Sequence, residues 1–346
     1  MTKNIEQKCG QMLMTGFRGT RLTRGHPIIR QIKQYDIGSI ILFDIDVANN
    51  SPLMNVESPQ QLHQLTDELR AAAPTPLLIA IDQEGGKVNR LKEERGFPPS
   101  ISAQTLGMRN NPDSTKDAAR RTAETLKNAG ISLNIAPCVD LNINPDNPII
   151  GKKERSFSAD PAVVIAHARE VIRAHHEMGV LCTLKHFPGH GSSTADTHLE
   201  FVDVTNTWRE EELIPYRTLI GEGIVDSVMT SHVFHATFDK KYPATLSRKI
   251  IHGILREQLG FDGVVISDDM QMKAIADRYG LETAVQLAID AGIDILAFGN
   301  NMANDPDIVR KVITIMTGLL SKGQIDESRI DESIRRIRHL KEKLSA

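Results

Sequence analysis

The sequence predicts an α/β protein that folds as a single (β/α)8 barrel of the TIM type. Eight short apolar runs recur along the 346 residues, helix-like segments separate them, and no linker rich in proline, glycine or serine divides the chain. Because eight strands alternating with helices suit a closed barrel better than an open sheet, we expect one catalytic domain over residues 1–346. An open, doubly wound sheet stays a second candidate, since strand order is not visible in a sequence.

The eight apolar runs are typical of parallel strands that are buried on both faces. They are rich in isoleucine, valine and leucine, and they are continuous rather than alternating with polar residues. We place these strands at residues 11–17, 37–43, 76–82, 131–137, 180–187, 226–232, 263–269 and 294–300.

The segments between the runs carry helix signals. One helix is expected to begin after the N-cap residue Ser58. Another is expected after Asp160, with Pro161 in its first turn, and to end near Gly179. After the last strand, two amphipathic stretches within about residues 303–346 are expected to pack on the barrel wall as ordinary surface helices.

Composition and charge give no sign of several other classes of protein. A formal charge of −3 gives no reason to expect nucleic acid or an anionic membrane as partner. The three cysteines, Cys9, Cys138 and Cys182, are too few and too scattered for a disulfide framework. The first residues lack the apolar core of a signal peptide, and no stretch approaches the roughly 18 apolar residues of a transmembrane helix. We therefore expect a cytoplasmic protein, and the oligomeric state stays open.

Polar and charged residues collect where the predicted strands end. In a (β/α)8 barrel the carboxyl ends of the strands surround one shared site, and a buried charge is costly unless it faces a polar pocket. A single aspartate at a strand end is more often a helix cap or an ion-pair partner, so the prediction depends on the whole set sharing one rim. The set comprises Asp82, Asn134, Asp140, Asn142, Lys185, His186, Ser231, His232, Asp268, Asp269 and Asn300.

The densest of these stretches is KHFPGHGSSTADTH, residues 185–198. His186, His190 and His198 are candidate zinc ligands, but their H-x3-H-x7-H spacing matches no usual zinc pattern. Alternatively, Asp196 and His198 lie two apart in a mobile loop rich in glycine and serine and can point the same way. The carboxylate would then orient the imidazole for proton transfer near neutral pH. We favour this acid–base pair and expect neither a metal nor a cofactor.

Four motifs, in this order along the chain, resemble those of glycoside hydrolase family 3. They are IAIDQEGGKVNRL, NIAPCVDLN followed by NPIIGKKERSFSADP, LKHFPGHGSSTADTH, and GFDGVVISDDMQM. The likeness is greatest to the bacterial β-N-acetylglucosaminidase (β-hexosaminidase) branch that recycles cell-wall fragments, and it spans nearly the whole chain. It implies a (β/α)8 barrel and a retaining mechanism that passes through a covalent glycosyl-enzyme.

The resemblance also implies roles for individual residues. Asp268 would be the nucleophile, and His198 would be the general acid and base, with Asp196 as its partner. The sugar-binding positions of the family carry over to Asp82, Arg90, Arg155, Lys185 and His186. The residue types suit these roles, because aspartate accepts hydrogen bonds from sugar hydroxyls, and lysine and arginine donate to hydroxyls and to an acetamido carbonyl.

The chain departs from the branch on three loops. Residues 40–58 include a longer segment after the second strand, Lys152 and Lys153 stand where acidic or small residues are common, and Lys87 replaces an arginine. These loops are expected to contact the aglycone. The natural substrate therefore stays open, whereas the mechanism implied by the family is unaffected.

Five hypotheses follow for the activity. The first is an exo-β-N-acetylglucosaminidase that removes terminal GlcNAc from muropeptide-like or chitooligosaccharide fragments. On the same site, a β-glucoside is another substrate, and phosphorolysis competes with hydrolysis because a histidine repels phosphate less than a carboxylate would. From other classes, the candidates are a non-catalytic sugar-binding barrel and a metal-dependent hydrolase.

Overall fold

The computed structural model describes residues 3–197 and 199–344. Within them lie ten strands: β1 (Leu13–Thr15), β2 (Ser39–Leu42), β3 (Leu78–Ile81), β4 (Gln83–Gly85), β5 (Val88–Asn89), β6 (Leu133–Asn134), β7 (Leu181–Phe187), β8 (Ser227–Thr230), β9 (Val264–Ile266) and β10 (Leu296–Phe298).

Eight of these strands form one parallel sheet, in the order β10-β1-β2-β3-β6-β7-β8-β9. A parallel bridge between Ile266 and Ile295 joins the last strand to the first. Each predicted strand contains one of these eight, so the (β/α)8 barrel is confirmed and the open, doubly wound alternative is wrong. The strands are buried on both faces, as their continuous apolar sequence predicts.

The other two strands, β4 and β5, form a short antiparallel hairpin directly after β3. Gly85 and Gly86 have φ angles of 100° and 59°, a region that favours glycine. A Cβ atom on Gly85 would lie 2.3 Å from the carbonyl oxygen of Ile101, so a larger residue does not fit there. The sequence does not predict this hairpin, because two adjacent glycines are equally typical of a strand-to-helix turn.

Helices surround the sheet. They are α1 (Ile5–Gln11), α2 (Pro27–Tyr35), α3 (Pro59–Ala72), α4 (Ala103–Arg109), α5 (Pro112–Asn128), α6 (Pro161–Glu177), α7 (Ile214–Gly221), α8 (Lys273–Tyr279), α9 (Leu281–Ala291), α10 (Ile308–Ser321) and α11 (Glu327–Glu342), with a π-helix over Lys249–Gln258. As predicted, the side chains of Ser58 and Asp160 cap α3 and α6. Within the described part of the chain, no helix combines the length and the apolar character needed to cross a membrane.

The two C-terminal helices pack on the barrel, α10 against α1 and α9, and α11 against α1 and β9. An ion-pair network ties α11 to the strands. Asp294, fully buried just before β10, lies 2.7 Å from Arg256 of the π-helix, 3.1 Å from Arg329 and 3.5 Å from Arg336 of α11. Because an uncompensated buried charge is costly, this aspartate and its three arginines depend on one another. The helix α11 is therefore held by buried charge as well as by its apolar face.

Lys341 of α11 gives a prediction about stability and pH. Its ammonium group is buried and donates to Gln11 Oε1 at 3.0 Å. Burial, with a smaller effect of Lys3, lowers its pKa from 10.5 to about 7, although Asp36 opposes the shift. Between these two pKa values the unfolded chain binds more protons than the folded one, so this lysine makes folding more favourable as the pH rises.

We expect the free energy of unfolding of the wild type, relative to Lys341→Met, to rise by about 1 kcal/mol per pH unit above pH 7. Urea unfolding at a series of pH values measures this difference. Lys322→Met, which changes an exposed lysine, is the matched control and should show no such trend. A wild-type-to-Lys341→Met difference that stays constant with pH would contradict the prediction.

Candidate active site

A buried lysine stands at the centre of the candidate site. Lys185 lies near the end of β7, where the register against β8 shifts between Leu184 and Phe187, and its side chain is 1% exposed. Its Nζ atom lies 2.7 Å from Asp82 Oδ1 and 2.7 Å from Glu84 Oε1. Burial opposes the charge of this lysine, but the two carboxylates outweigh it and raise its pKa. Lys185 is therefore a cation at neutral pH.

Glu84, on the β4–β5 hairpin, joins this lysine to Arg155. The guanidinium of Arg155 grips the carboxylate with two parallel hydrogen bonds, Nε to Oε2 at 2.9 Å and Nη2 to Oε1 at 2.7 Å. Burial favours the neutral acid, but Arg155 and Lys185 together hold the pKa of Glu84 well below its usual range. Sequence reasoning did not single out Glu84, although it lies inside the first motif, because its contacts depend on the unpredicted hairpin.

His186 is fixed between a cation and an anion. Its Nδ1 atom lies 2.6 Å from Asp140 Oδ2, and Arg155 Nη2 donates to its Nε2 atom at 3.0 Å. This geometry assigns the ring proton to Nδ1, from which it donates to Asp140. Burial alone would raise the pKa of Asp140, but its interaction with His186 lowers it to about 2. Asp140 therefore orients the His186 ring and stays ionised.

Asp82 and Arg90 form the open edge of the cluster. Their side chains are 17% and 25% exposed, whereas Lys185 beneath them is almost sealed. Asp82 Oδ2 lies 3.6 Å from Arg90 Nη2, beyond hydrogen-bond length, so this oxygen can accept from a ligand hydroxyl. Burial raises the pKa of Asp82, but Lys185 and Arg90 outweigh it and lower the pKa.

Asp44, two residues beyond β2, is a further member that sequence reasoning missed. Its carboxylate lies 2.8 Å from Lys92 Nζ and 3.7 Å from Arg90 Nη1. It helps to hold Arg90 at the open edge. The signal was present, because the second apolar run ends in LFD, and an acid at a strand end is the pattern that identified Asp82.

Among the described residues, one group has the spacing of a metal site: Cys138, Asp140 and His186, with ligand atoms within 4.8 Å of one another. Hydrogen bonds already occupy it. Cys138 Sγ donates to Asp140 at 3.2 Å, and Asp140 also accepts from the backbone N–H groups of His186 and His190. Burial raises the pKa of the Cys138 thiol well above its usual value, which disfavours the thiolate that zinc requires. The side chains of Cys138, Asp140 and His186 are therefore better suited to a hydrogen-bond network than to binding a metal ion.

Of the three candidate zinc ligands, His186 and His190 belong to the described residues. The rings of His186 and His190 lie edge to face with centroids 5.9 Å apart. The two ring nitrogens of His190 contact Ser193 Oγ at 2.7 Å and Thr197 Oγ1 at 3.2 Å. His198, considered both as a zinc ligand and as the partner of Asp196, lies outside the described residues.

Asp268 follows β9, and its Oδ1 atom accepts a hydrogen bond from the backbone N–H of Asp269 at 2.8 Å. Burial lowers the pKa of His190 to about 4, and the nearby carboxylates of Asp140 and Asp268 oppose that shift. The His190 ring packs edge to face against His186 of the lysine–arginine cluster. Asp268 thus follows the end of its strand, as Asp82 does, at the carboxyl-end edge of the same parallel sheet.

The comparisons with known proteins agree with this architecture. The glycosyl hydrolase family 3 N terminal domain matches residues 4–340. The chain belongs to glycoside hydrolase family 3. The resemblance seen in the four motifs is thereby confirmed.

Several β-hexosaminidases are similar to the chain in sequence. It is 34% identical over 317 residues to a β-hexosaminidase of Xanthomonas euvesicatoria, covering 89% of this chain and 87% of that protein. It is 32% identical over 336 residues to β-hexosaminidase A of Pseudoalteromonas piscicida, covering 90% of this chain but 54% of that protein. The chain thus spans about half the length of the latter relative.

Two solved structures superpose closely on the chain. A β-N-acetylglucosaminidase of Paenibacillus sp. gives a TM-score of 0.89 at 35% identity, covering 99% of this chain and 63% of that one. A β-N-acetylhexosaminidase of Beutenbergia cavernae gives a TM-score of 0.87 at 28% identity, covering 98% and 99% of the two chains.

Proposed function

We propose that this family 3 protein is a retaining exo-β-N-acetylglucosaminidase that hydrolyses terminal GlcNAc residues. The observation that carries the proposal is the ordered cluster of Lys185, Glu84 and Arg155, which presents Asp82 and Arg90 at the open edge of the barrel. A sugar with several hydroxyl groups matches such an edge of fixed acceptors and donors. The names of the similar proteins, β-hexosaminidases and β-N-acetylglucosaminidases, support the choice of sugar.

The N–H donors of the cluster that are not already used determine which hydrogen bonds it can form with a sugar. Lys185 has three N–H donors, of which Asp82 and Glu84 take two. Arg155 has five, and Glu84, His186 and the carbonyl of Ile149 take four. Counting contacts to the described residues, each side chain therefore retains one donor, suited to a ring hydroxyl or to the acetamido carbonyl. Because these contacts already hold both cations in place, little further entropy is lost when a sugar binds.

The proposed chemistry uses two groups on opposite sides of the glycosidic bond. The carboxylate of Asp268 attacks the anomeric carbon and forms a glycosyl ester, while His198, held by Asp196, protonates the departing oxygen. His198 then removes a proton from the water that hydrolyses the ester, so both groups return to their starting states. An aspartate and a carboxylate-paired histidine ordinarily have the required charges near neutral pH.

The cellular role is a further part of the proposal. Muropeptide-like fragments are the substrates that the cell-wall-recycling branch of the family suggests, with chitooligosaccharides as the alternative. The three cysteines are unpaired and buried, which is compatible with a reducing compartment such as the cytoplasm. A β-glucoside substrate is less favoured, because the similar proteins are named for N-acetylated sugars.

The test of the proposed function is a comparison of products and leaving groups. The wild type should release the phenol from an aryl β-N-acetylglucosaminide and yield free GlcNAc both with and without inorganic phosphate. GlcNAc 1-phosphate as the product in phosphate buffer would instead make the protein a phosphorylase. No turnover of any β-N-acetylglucosaminide would refute the proposal and favour a sugar-binding barrel.

The His198→Ala variant tests the acid/base role. Turnover of a substrate with a poor, alkyl leaving group should fall about 10²- to 10⁴-fold, the usual contribution of general acid catalysis. The loss should be much smaller with a 2,4-dinitrophenyl leaving group, which departs without protonation. His252→Ala, which changes an exposed histidine of the π-helix, is the control. Equal losses on both substrates would show that His198 is not the acid.

A further inference from the structure

We infer that the hydrogen bond between Thr197 and His190 is a latch that positions the proton-donating loop, so that both are positioning residues for leaving-group departure. The inference rests on the proposed function, because it concerns how His198, the next residue in the chain, is delivered to the glycosidic oxygen. It assigns a role to a threonine that neither binds the sugar nor reacts.

The loop after β7, residues 188–204, is anchored firmly at its upstream end. Asn147 donates to the carbonyl of His190 at 2.7 Å and to Ser193 Oγ at 2.9 Å. Asn144 donates to the carbonyl of Ser193 at 2.9 Å, and the backbone N–H of Gly191 donates to Glu212 at 3.1 Å. These hydrogen bonds hold the loop in place from residue 190 to residue 193.

The downstream end is anchored as well. The backbone of Phe234, just beyond β8, donates to Val202 at 2.8 Å and accepts from Val204 at 2.9 Å. The ring of Phe234 also lies 5.2 Å from that of Phe201. The short stretch between Ser193 and Phe201, which contains Asp196 and His198, lies between these two anchored ends.

Within that stretch Thr197 differs from its described neighbours in burial. Its side chain is 1% exposed, whereas Thr194 and Glu200 are exposed and Leu199 is 65% exposed. The carbonyl of Asp196 accepts from the N–H groups of Leu199 at 3.0 Å and Glu200 at 3.1 Å, forming a single turn. The buried Thr197 is therefore one of the points at which this turn is held to the barrel.

The partner of Thr197 is a histidine whose own geometry is fixed. The His190 ring is 1% exposed, its Nδ1 atom lies 2.7 Å from Ser193 Oγ, and its Nε2 atom lies 3.2 Å from Thr197 Oγ1. Burial keeps the pKa of His190 near 4, so at neutral pH the ring has one donor and one acceptor nitrogen. Ser193 contacts one of these nitrogens and Thr197 contacts the other. The ring therefore connects the anchored part of the loop at Ser193 to the turn at Thr197.

Loss of this hydrogen bond should slow the reaction of some substrates more than that of others. Without the latch the turn should spend less time with His198 near the departing oxygen, while the sugar site and Asp268 stay in place. A step that needs proton donation should therefore slow, and a step that does not need it should continue. A merely structural role for Thr197 would lower the turnover of every substrate alike.

The experiment compares Thr197→Val, which keeps the shape and removes the hydroxyl, with Thr197→Ser, which keeps the hydroxyl. Thr194→Val makes the same chemical change at an exposed position of the same loop and is the control. For Thr197→Val we expect kcat/KM for an alkyl β-N-acetylglucosaminide to fall about five- to tenfold, the value of one hydrogen bond. The 2,4-dinitrophenyl glycoside should lose less than about twofold, and Thr197→Ser should resemble the wild type on both.

Hydrogen exchange supplies a readout that is independent of activity. The amides of Leu199 and Glu200 should exchange faster in Thr197→Val than in the wild type or in Thr194→Val. Unchanged exchange, equal losses on both glycosides, or a Thr197→Ser variant as impaired as Thr197→Val would each overturn the latch. If the wild type hydrolyses neither glycoside, the proposed function fails, and the exchange result still decides whether the hydroxyl holds the turn.

Discussion

Replacing Asp268 by alanine should lower the turnover of an aryl β-N-acetylglucosaminide by about 10⁴-fold or more, the scale of losing a covalent nucleophile. The reason is that the remaining groups bind the sugar and protonate the leaving group but provide no atom to form the glycosyl ester. KM should change little, because the groups proposed to bind the sugar, Asp82, Arg90, Lys185 and Arg155, are untouched.

Two further measurements make this prediction specific to a nucleophile. Added azide should restore part of the activity of Asp268→Ala, since the small anion can enter the space left by the carboxylate and attack the same carbon. The product should be the α-glycosyl azide, because azide approaches from the face opposite the leaving group. Asp277→Ala, an exposed aspartate of α8, is the control and should behave as the wild type. Full turnover by Asp268→Ala would mean that the nucleophile is another residue.

Replacing Glu84 by glutamine should damage both the stability and the activity of the protein. This carboxylate is 4% exposed and lies 2.7 Å from both Arg155 and Lys185. A neutral amide leaves these two buried cations with less compensating charge, which typically costs about 3 kcal/mol in the free energy of unfolding. The two cations should also shift, so kcat/KM should fall about 10²-fold through misplaced sugar contacts.

Calorimetry or urea unfolding measures the first effect, and steady-state kinetics on the aryl glycoside measures the second. Glu154→Gln is the matched control, because Glu154 is a nearby glutamate paired with exposed Lys87 at 2.6 Å. That surface pair should contribute little to stability. If Glu84→Gln unfolds like the wild type and retains its kcat/KM, the buried cluster does not organise the site as proposed.

The barrel itself was predictable from local sequence. A continuous run such as residues 76–82 is typical of a strand buried on both faces, and eight such runs between helices are best accommodated by a closed ring. The caps at Ser58 and Asp160 were predictable for the same reason, since a cap depends on residues within one helical turn. The hairpin over β4 and β5 was not, because its two glycines permit two different backbone turns.

The site was predictable in part. Position at a strand end identified Asp82, Lys185 and His186, and the family motifs added Arg90 and Arg155; the structure joins these five through direct contacts or through Glu84. Glu84 was missed, because its importance comes from the cations it meets across the barrel. Asp44 was missed although it directly follows the second apolar run. His190 was considered only as a metal ligand, and its contacts are instead with Ser193 and Thr197.

The sequence by itself determined the strands, the helices, the family and the residue types available for chemistry, since hydrophobic pattern and motif order are properties of the linear chain. Only the tertiary structure decided which charge neutralises which, how many donors remain for a ligand, and where the loop that carries His198 is fastened. The physical reason is that Coulomb energy and hydrogen bonding depend on distances of a few ångströms, and closing the barrel brings together residues as far apart in sequence as Asp82 and Lys185.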